Sequence, residues 1–497
     1  MNNGVARSID LKEIPTEIRA VTETLERAGF EAYLVGGCVR DLLIGKEPKD
    51  WDVTTNATPE EIMGNFPNTF YTNSFGTVGV VNEDTQDERL KIVEVTPYRL
   101  ESSYSDARRP DVVTFSKHLE DDLQRRDFTV NAIAFSPSQG QIIDLYGGFA
   151  DIENKILKTV GDPQDRFTED GLRILRAIRL SAELGFTISH ETREAIRHNA
   201  VVLEKISAER IRDEFVRIVE ASDALNTFNA AHELGVLQYF LPELELGIGV
   251  EQKGAHVYSV WEHNVRALEH AQRRNFSLHV KIAALLHDVA KPHTQEWSEE
   301  KGKFTFYGHD VVGAKLSRAI LKRLKFSQET VSVVSNLVRN HLFFSDVDKI
   351  SMSAVRRIIR QVGTEHIWEL MDLRACDRIG MGRPKENPYR LRKYESMIEE
   401  ALRDPLTVGM LKIDGLRVME VTREKPGPKI GLILHALLEE VLNDPNRNTA
   451  DYLEKRSIEL CQLPTEKLRE QALAGKEKRD ELEQEEVRQI RRKHSVK

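Results

Sequence analysis

The sequence predicts a multidomain α+β protein: an N-terminal mixed α/β head, then an all-α neck and body, a further helical domain and a helical C-terminal region. Three observations carry that expectation. At 497 residues the chain is too long for one core, because single cores rarely grow past about 250 to 300 residues. Short runs of β-branched and aromatic residues crowd between residues 30 and 145. From about residue 158 the pattern changes to long amphipathic helices, and strand signals become scarce.

Taken in order, PTEIRAVTETLERAG (residues 15–29) reads as a helix, with Pro15 placed for the first turn and Gly29 for the stop. EAYLV (31–35) is a strand running into Gly36-Gly37, and VRDLLIG has the spacing of a short helix ended by Gly45. WDVTT, TVGVV, KIVEVTPYR, DVVTFS and AIAF complete the strands of the head. EDGLRILRAIRLSAELG, ETREAIRHNAVVLEKI and SAERIRDEFVRIVEAS are the first long helices beyond it. Breaks fall near Gly247–Gly254 and in GMGRPKENPYR (380–390). The resulting division is 1–157, 158–250, 251–382, 383–464 and a charged tail over 465–497, whose interspersed signs describe a solvated helix.

Composition excludes several classes. No apolar run approaches the roughly 18 residues that span a bilayer, so no membrane partner is expected. MNNGVARSIDLKEIP lacks the pattern of an export signal, which makes the cytoplasm the expected compartment. Cys38, Cys376 and Cys461 match no zinc or redox spacing. A formal charge of −9 argues against indiscriminate coating of nucleic acid, although local basic clusters can still hold phosphates.

LVGGCVRDLLIGKEPKDWDV (34–53) is the sharpest signal. Gly36 and Gly37 lie between a strand and a helix, where missing side chains let a triphosphate approach backbone N–H groups. Asp50 and Asp52 are spaced i, i+2 on the expected strand, which points both carboxylates to one face. Hard oxygen ligands so arranged suit Mg²⁺, and two such ions could activate a ribose 3′-hydroxyl and stabilise a leaving pyrophosphate. Glu94, on a neighbouring strand, is the third carboxylate expected there.

This segment resembles the class II CCA-adding tRNA nucleotidyltransferases and the similar bacterial poly(A) polymerases, members of the polymerase β-like superfamily. Further similarities follow in order. RRDFTVNA (125–132) looks like the ribose-recognition motif and DLYGGFAD (144–151) like the hinge after the head. EDGLR (169–173) resembles the nucleotide-selection motif, and SAERIRDE (207–214) the helix that supports it. The similarity is close over residues 15–245 and looser through PGPKIGLILHALLEEV (426–441). It implies magnesium-dependent extension of a tRNA 3′ end from CTP and ATP, with Asp50, Asp52 and Glu94 catalytic. Gly36, Gly37, Arg40, Arg126, Asp127, Asn131, Asp170, Arg173 and Arg176 would bind the nucleotide.

Asp170 and Arg173, read as i, i+3 neighbours on one helix face, could imitate a template base. The carboxylate would accept from the exocyclic amine of cytosine or adenine, and the guanidinium would donate to the adjacent ring nitrogen. Guanine and uracil would place a carbonyl against Asp170 and leave it unpaired. Asp127 with Arg126 would bind the ribose 2′-hydroxyl and Asn131 would help position the sugar. Arg125 and Arg126 are alternatively phosphate ligands. Arg176 and Arg179 are either nucleotide and tRNA ligands or solvated helix charges. The tRNA would meet a positive stripe on the helical part, giving shape-based, salt-dependent binding. YRLESSYSDARRPDVVTF (98–115) resembles the loop that complete CCA-adding enzymes use to switch from C to A, favouring complete addition over CC- or A-addition or poly(A) synthesis.

The ordered series His263, His287-Asp288, His309, His341 and Asp377 is a second constellation. Imidazoles and carboxylates spread over helices suit one or two divalent transition-metal ions, which can generate a hydroxide nucleophile near neutral pH. The series resembles the HD-domain metal phosphohydrolases. By position, that implies His263, His287, Asp288 and Asp377 as ligands of a first metal and His309 and His341 as ligands of a second. Lys291, one turn beyond the His-Asp pair, is either a phosphate ligand or a solvated lysine, while His256 and His293 fall outside the set. A nucleotide phosphohydrolase with an inert head is the alternative of a different class, which the intact acidic residues of the head argue against.

Overall fold

The computed structural model describes residues 8–72, 76–102, 112–252, 256–342, 350–403, 408–464, 466–470, 484–485 and 487–496. Its first compact unit takes in the chain through His341 together with Asp372–Pro384, and its second the remainder.

The first unit begins with α1 (Thr16–Arg27), which buries Ile18, Val21, Thr22 and Leu25, one stripe at i, i+3, i+4 and i+7. Then come β1 (Ala32–Val35), α2 (Gly37–Leu43), β2 (Asp52–Thr55), α3 (Pro59–Asn65), β3 (Thr69–Tyr71), β4 (Val78–Val81) and β5 (Ile92–Pro97). β6 (Arg99–Ser102) and β7 (Val112–Phe115) pair with each other, and α4 (Leu119–Gln124), β8 (Ile133–Ser136), β9 (Gln141–Asp144) and α5 (Gly148–Asn154) complete the head. Residues 103–111, the middle of the segment expected to switch C to A, lie outside the described residues.

Seven strands form one sheet in the order β3-β4-β5-β2-β1-β8-β9, in which only β2 and β5 run parallel. Leu34, Val53, Val93, Val95 and Ile133 are fully buried on it. Register places Asp52 directly opposite Glu94.

Two short parallel strands, β10 (Ile156–Leu157) and β11 (Thr187–Ile188), bracket α6 (Pro163–Glu169) and α7 (Leu172–Leu184). The periodicity of EDGLRILRAIRLSAELG predicts one helix; the chain instead breaks at Asp170-Gly171. Asp170 is extended and its carboxylate accepts from Leu172 N at 3.1 Å, a local bond that starts α7 afresh. A Cβ on Gly171 would stand 2.8 Å from Val202 Cγ1, so the elbow packs where a side chain has no room. Next are α8 (His190–Asn199), α9 (Ala208–Glu220), α10 (Ala224–Glu233), α11 (Pro242–Glu245), α12 (Val260–Arg273) and α13 (Leu278–Leu286). The antiparallel strands β12 (Glu296–Ser298) and β13 (Lys303–Thr305) follow, then α14 (His309–Arg323) and α15 (Gln328–Asn340). α9 has partners on more than one side: Phe215 meets Phe326 edge to face, and Gln272 of α12 donates to Ile218 O and Val219 O.

α16 (Met352–Val362) belongs to the second unit, while α17 (Ile367–Gly380) begins there and contributes its last residues to the first. In the second unit α18 (Tyr389–Leu402), α19 (Gly415–Thr422), α20 (Pro428–Asn443) and α21 (Ala450–Cys461) follow, and Val418, Ile433, Leu437, Leu453 and Leu460 form a buried cluster. The tail is not wholly solvated. Lys493 and His494 bond Glu399, and Arg491 bonds Glu400, so its described end lies against α18.

Candidate active sites

The sheet brings Asp52 and Glu94 together on the neighbouring strands β2 and β5, beside the C-terminal end of β1. Gly36 follows that strand at φ +83°, a conformation that favours glycine, and an added Cβ would lie 3.0 Å from Arg126 Nη1 and 3.5 Å from Asp52 Oδ2. Glycine, carboxylate and guanidinium therefore meet at one spot. Asp52 opens β2, but Asp50 lies in the bend before it rather than on the strand, because pairing with β1 begins only after residue 52. The three carboxylates still sense one another. Burial raises the pKa of Asp52 against the pull of Arg126, and Asp50 raises it further. Partial desolvation raises Glu94, with the Asp52 and Asp50 charges adding to it. A like-charge cluster of hard oxygens fits a divalent cation.

Around these acids runs a hydrogen-bonded chain. Arg40 Nη1 donates to Asn131 Oδ1 at 2.6 Å, and Asn131 Nδ2 donates to Asp127 Oδ1 at 3.0 Å. Asp127 Oδ2 accepts from Arg176 Nε and Nη2 at 2.8 and 2.6 Å. Burial works to raise the Asp127 pKa, but Arg176 and Asn131 outweigh it and hold the carboxyl well below the usual range. The partner of Asp127 is thus Arg176, whereas Arg126 donates to the buried Asp122 at 3.0 Å. Neither Arg176 nor Arg179 is a solvated helix charge: Arg179 is buried, with its Nε 2.7 Å from Glu214 Oε2.

At the elbow, Asp170 and Arg173 do not share a helix face, since Asp170 precedes α7. Arg210 grips Asp170 with both terminal nitrogens, at 3.0 and 2.7 Å. Arg173 is buried, donating to Glu169 Oε2 at 2.6 Å and to Arg125 O at 3.0 Å. Arg210, Glu214, Asp122 and Glu169 were not among the expected residues. A signal existed for Glu214, which falls on the apolar stripe Ile211, Phe215, Ile218, where a carboxylate needs a buried partner. Asp122 precedes Arg125 and Arg126 by one helical turn.

The second site gathers its residues from five helical segments. His263 comes from α12, His287 and Asp288 from the end of α13, His309 from the start of α14, His341 from the end of α15 and Asp377 from α17. None of the six is more than 7% exposed. His263 Nε2 lies 2.8 Å from His287 Nε2, 3.1 Å from Asp288 Oδ2 and 3.3 Å from Asp377 Oδ1. The other oxygen of Asp288 faces His309 Nε2 at 3.2 Å and His341 Nε2 at 3.6 Å. Two ligand groups, His263-His287-Asp288 and Asp288-His309-His341, therefore share one carboxylate.

The outer nitrogens fix the rings. Nδ1 of His287, His309 and His341 lies 2.8, 2.6 and 2.7 Å from the carbonyls of Ala284, Phe306 and Val338, which turns each Nε2 inward, as metal-ligating histidines require. Nε2 of His309 and His341 is buried and makes no well-aligned hydrogen bond among the described residues, Asp288 Oδ1 lying nearby at 3.2 and 3.6 Å. Such orphaned inward nitrogens fit a bound cation. Burial opposes charge throughout, yet Lys291 beside Asp288 and Arg374 beside Asp377 hold both carboxyls well below their usual range. Gly380 lets α17 approach: a Cβ there would stand 2.8 Å from His263 O. Lys291 is buried and bonds Asp288 and Gln252, so it is not a solvated lysine. His256, set aside from the sequence, has its ring edge-on to His263 at 5.0 Å.

Three stretches of the chain match known protein families. The Poly A polymerase head domain family matches residues 32–158, the family described as a probable RNA and SrmB-binding site of polymerase A matches 185–247, and the HD domain family matches 254–382. A CCA-adding enzyme of Lactobacillus delbrueckii subsp. bulgaricus is 46% identical over 222 residues, 44% of this chain and 54% of the relative. One from Geobacillus sp. is 46% identical over 235 residues, 47% of this chain and 56% of the relative. In these alignments the chain spans about half the length of the curated relatives it matches. A CCA-adding enzyme of Leuconostoc mesenteroides aligns at 32% identity over 450 residues, 90% of this chain and 97% of the relative. The crystal structure of the Bacillus stearothermophilus CCA-adding enzyme in complex with CTP matches with a TM-score of 0.59 at 26% identity, covering 90% of this chain and 98% of that one. With the acidic strand pair, the clamped elbow and nearly end-to-end alignment to such a relative in hand, the chain belongs to the family of CCA-adding enzymes.

Proposed function

We propose that this protein adds C, C and A in turn to the 3′ end of tRNA, taking CTP and ATP as substrates in the cytoplasm. The observation that supports it most is the register pairing of Asp52 with Glu94, with Asp50 close enough to raise the pKa of both. Asp50, Asp52 and Glu94 would hold magnesium, which when bound supplies activation of the 3′-hydroxyl and neutralisation of the departing pyrophosphate. The protein supplies the rest. Gly36 leaves space beside Asp52 and Arg126 for a triphosphate. Asp127 and Asn131, locked by Arg176 and Arg40, form a preset edge for the ribose. Asp170, held by Arg210, presents its remaining lone pairs to an exocyclic amine, so that cytosine and adenine pair and uracil and guanine do not. Incubating the protein with tRNA transcripts that lack the terminal CCA, then sequencing the products, tests this: one CCA per molecule is expected, and arrest after two cytidines or long adenosine tails would overturn it.

The helical cluster is a second, hydrolytic centre in this proposal. His263, His287, Asp288 and Asp377 would hold one divalent transition-metal ion, with His309, His341 and the shared Asp288 available to a second. Metal bound there supplies water activation near neutral pH and polarisation of a phosphoryl oxygen. Lys291 offers the ammonium that would steady a phosphate ester at the cluster.

A further inference from the structure

The ribbon β12–β13 pairs with no other strand among the described residues, and it carries its aromatic side chains outward. Trp297 and Phe304 are register partners with ring centroids 5.1 Å apart at 77°, and they are 47% and 41% exposed. Tyr307, just past β13, is 70% exposed. Clustered exposed aromatics on a soluble protein mark a binding surface more often than a packing accident.

The ribbon is continuous with the metal cluster. Phe306 O lies 2.6 Å from His309 Nδ1, and the Phe306 ring centroid is 5.7 Å from Lys291 Nζ, itself bonded to Asp288. One residue, Gly308, separates Tyr307 from His309, so their α-carbons stand within about 7 Å of each other. Charge chooses among occupants. Glu296, Glu299 and Glu300 on the ribbon offset Lys301 and Lys303, which disfavours a long phosphate backbone lying along it. A single flat base is not disfavoured, and Lys301, 5.2 Å from the Tyr307 ring centroid, steadies that ring.

We propose that the exposed face of Trp297, Phe304 and Tyr307 is a base-stacking subsite of the helical metal centre, holding the nucleobase of a mononucleotide unit whose phosphate ester lies at the cluster. This rests on the reading of that cluster as hydrolytic. Stacking is tolerant of base identity, since every base has a π-face.

The test uses the full chain reconstituted with Mn²⁺ and compares GMP with ribose 5-phosphate by calorimetry. GMP is chosen because the elbow at Asp170 is proposed to refuse guanine, so its binding reports on the ribbon. Tyr307→Ala is expected to raise the Kd for GMP about five- to a hundredfold, the span for losing one base stack, with ribose 5-phosphate affinity and bound-metal content unmoved. Tyr307→Phe keeps the aromatic face and should bind GMP like the parent. Equal weakening of both ligands, or unchanged GMP affinity in Tyr307→Ala, overturns the proposal. So does a change in sedimentation without a change in GMP affinity, which would make the ribbon a contact between copies of the chain. Loss of all phosphate binding in the metal-loaded parent would instead remove the hydrolytic reading, and the subsite with it.

Discussion

The head and the helical cluster present carboxylates to cations in opposite ways. In the head, Asp50 and Glu94 are exposed and Asp52 half-buried, so water can reach and solvate the charges. In the cluster, six candidate ligands are walled in by helices, and three imidazoles have their orientations fixed by backbone carbonyls. The first arrangement tolerates an empty state. The second leaves Nε2 of His309 and His341 with no well-aligned hydrogen bond among the described residues, and an unsatisfied buried group costs about 1 to 3 kcal/mol.

The widest break in that comparison is functional. Asp52→Ala should cut nucleotide addition at least about a thousandfold, the scale on which metal-supplied transition-state stabilisation operates, and spare hydrolysis of bis(p-nitrophenyl) phosphate. Asp288→Ala should do the reverse. Loss of both activities in either folded variant would sink the two-site reading. Next comes stability. Stripping the metal from the parent should lower its unfolding free energy by about 4 kcal/mol, if metal is present at a thousand times its Kd, while the same treatment of Asp288→Ala changes nothing. An identical response in calorimetry would put the strong metal site elsewhere.

A smaller effect sharpens the account of the elbow. Arg210→Ala frees Asp170 from its two-point clamp, so preference for CTP and ATP over UTP and GTP should fall about tenfold. An unaltered ratio of kcat/KM values would show that Arg210 only stabilises the fold. The slightest expected change concerns Asp122, buried between Arg125 and Arg126. Burial alone would raise its pKa, but the two guanidinium groups hold it below the usual value. A depressed folded-state pKa means the contribution is complete above the unfolded value of about 3.9 and fades as pH falls through the folded one. The stability gap between parent and Asp122→Asn should thus be level at neutral pH and narrow below about pH 4; a gap that widens in acid would contradict the pairing.

Much of this was legible because it is periodic or local. Most strands of the head follow from short runs of β-branched and aromatic residues, β3 and β9 being the ones missed, and the six residues of the cluster follow from chain order, since each stands at or near a helix end. The partners were harder to read. Nothing in the spacing of Asp127 and Arg176 announces a bond across 49 positions, nor that Arg210 would reach Asp170 across 40, because such pairs depend on how α6, α7 and α9 cross. The elbow itself was hidden by an apolar pattern that continues across it. Asp-Gly was the available sign, a dipeptide that favours a turn over an uninterrupted helix.

The parallel pairing of β2 with β5 has an evolutionary corollary. A slip of one residue in that pair would turn Glu94 to the far side of the sheet, so no insertion can be accommodated within either strand. The chain between them is freer, having only to leave and return at fixed points. Lengthening by duplication or insertion should accumulate in the turn over 82–91, at the surface between β4 and β5, while the spacing from Asp52 to Thr55 and from Glu94 to Pro97 stays constant across descendants of this gene.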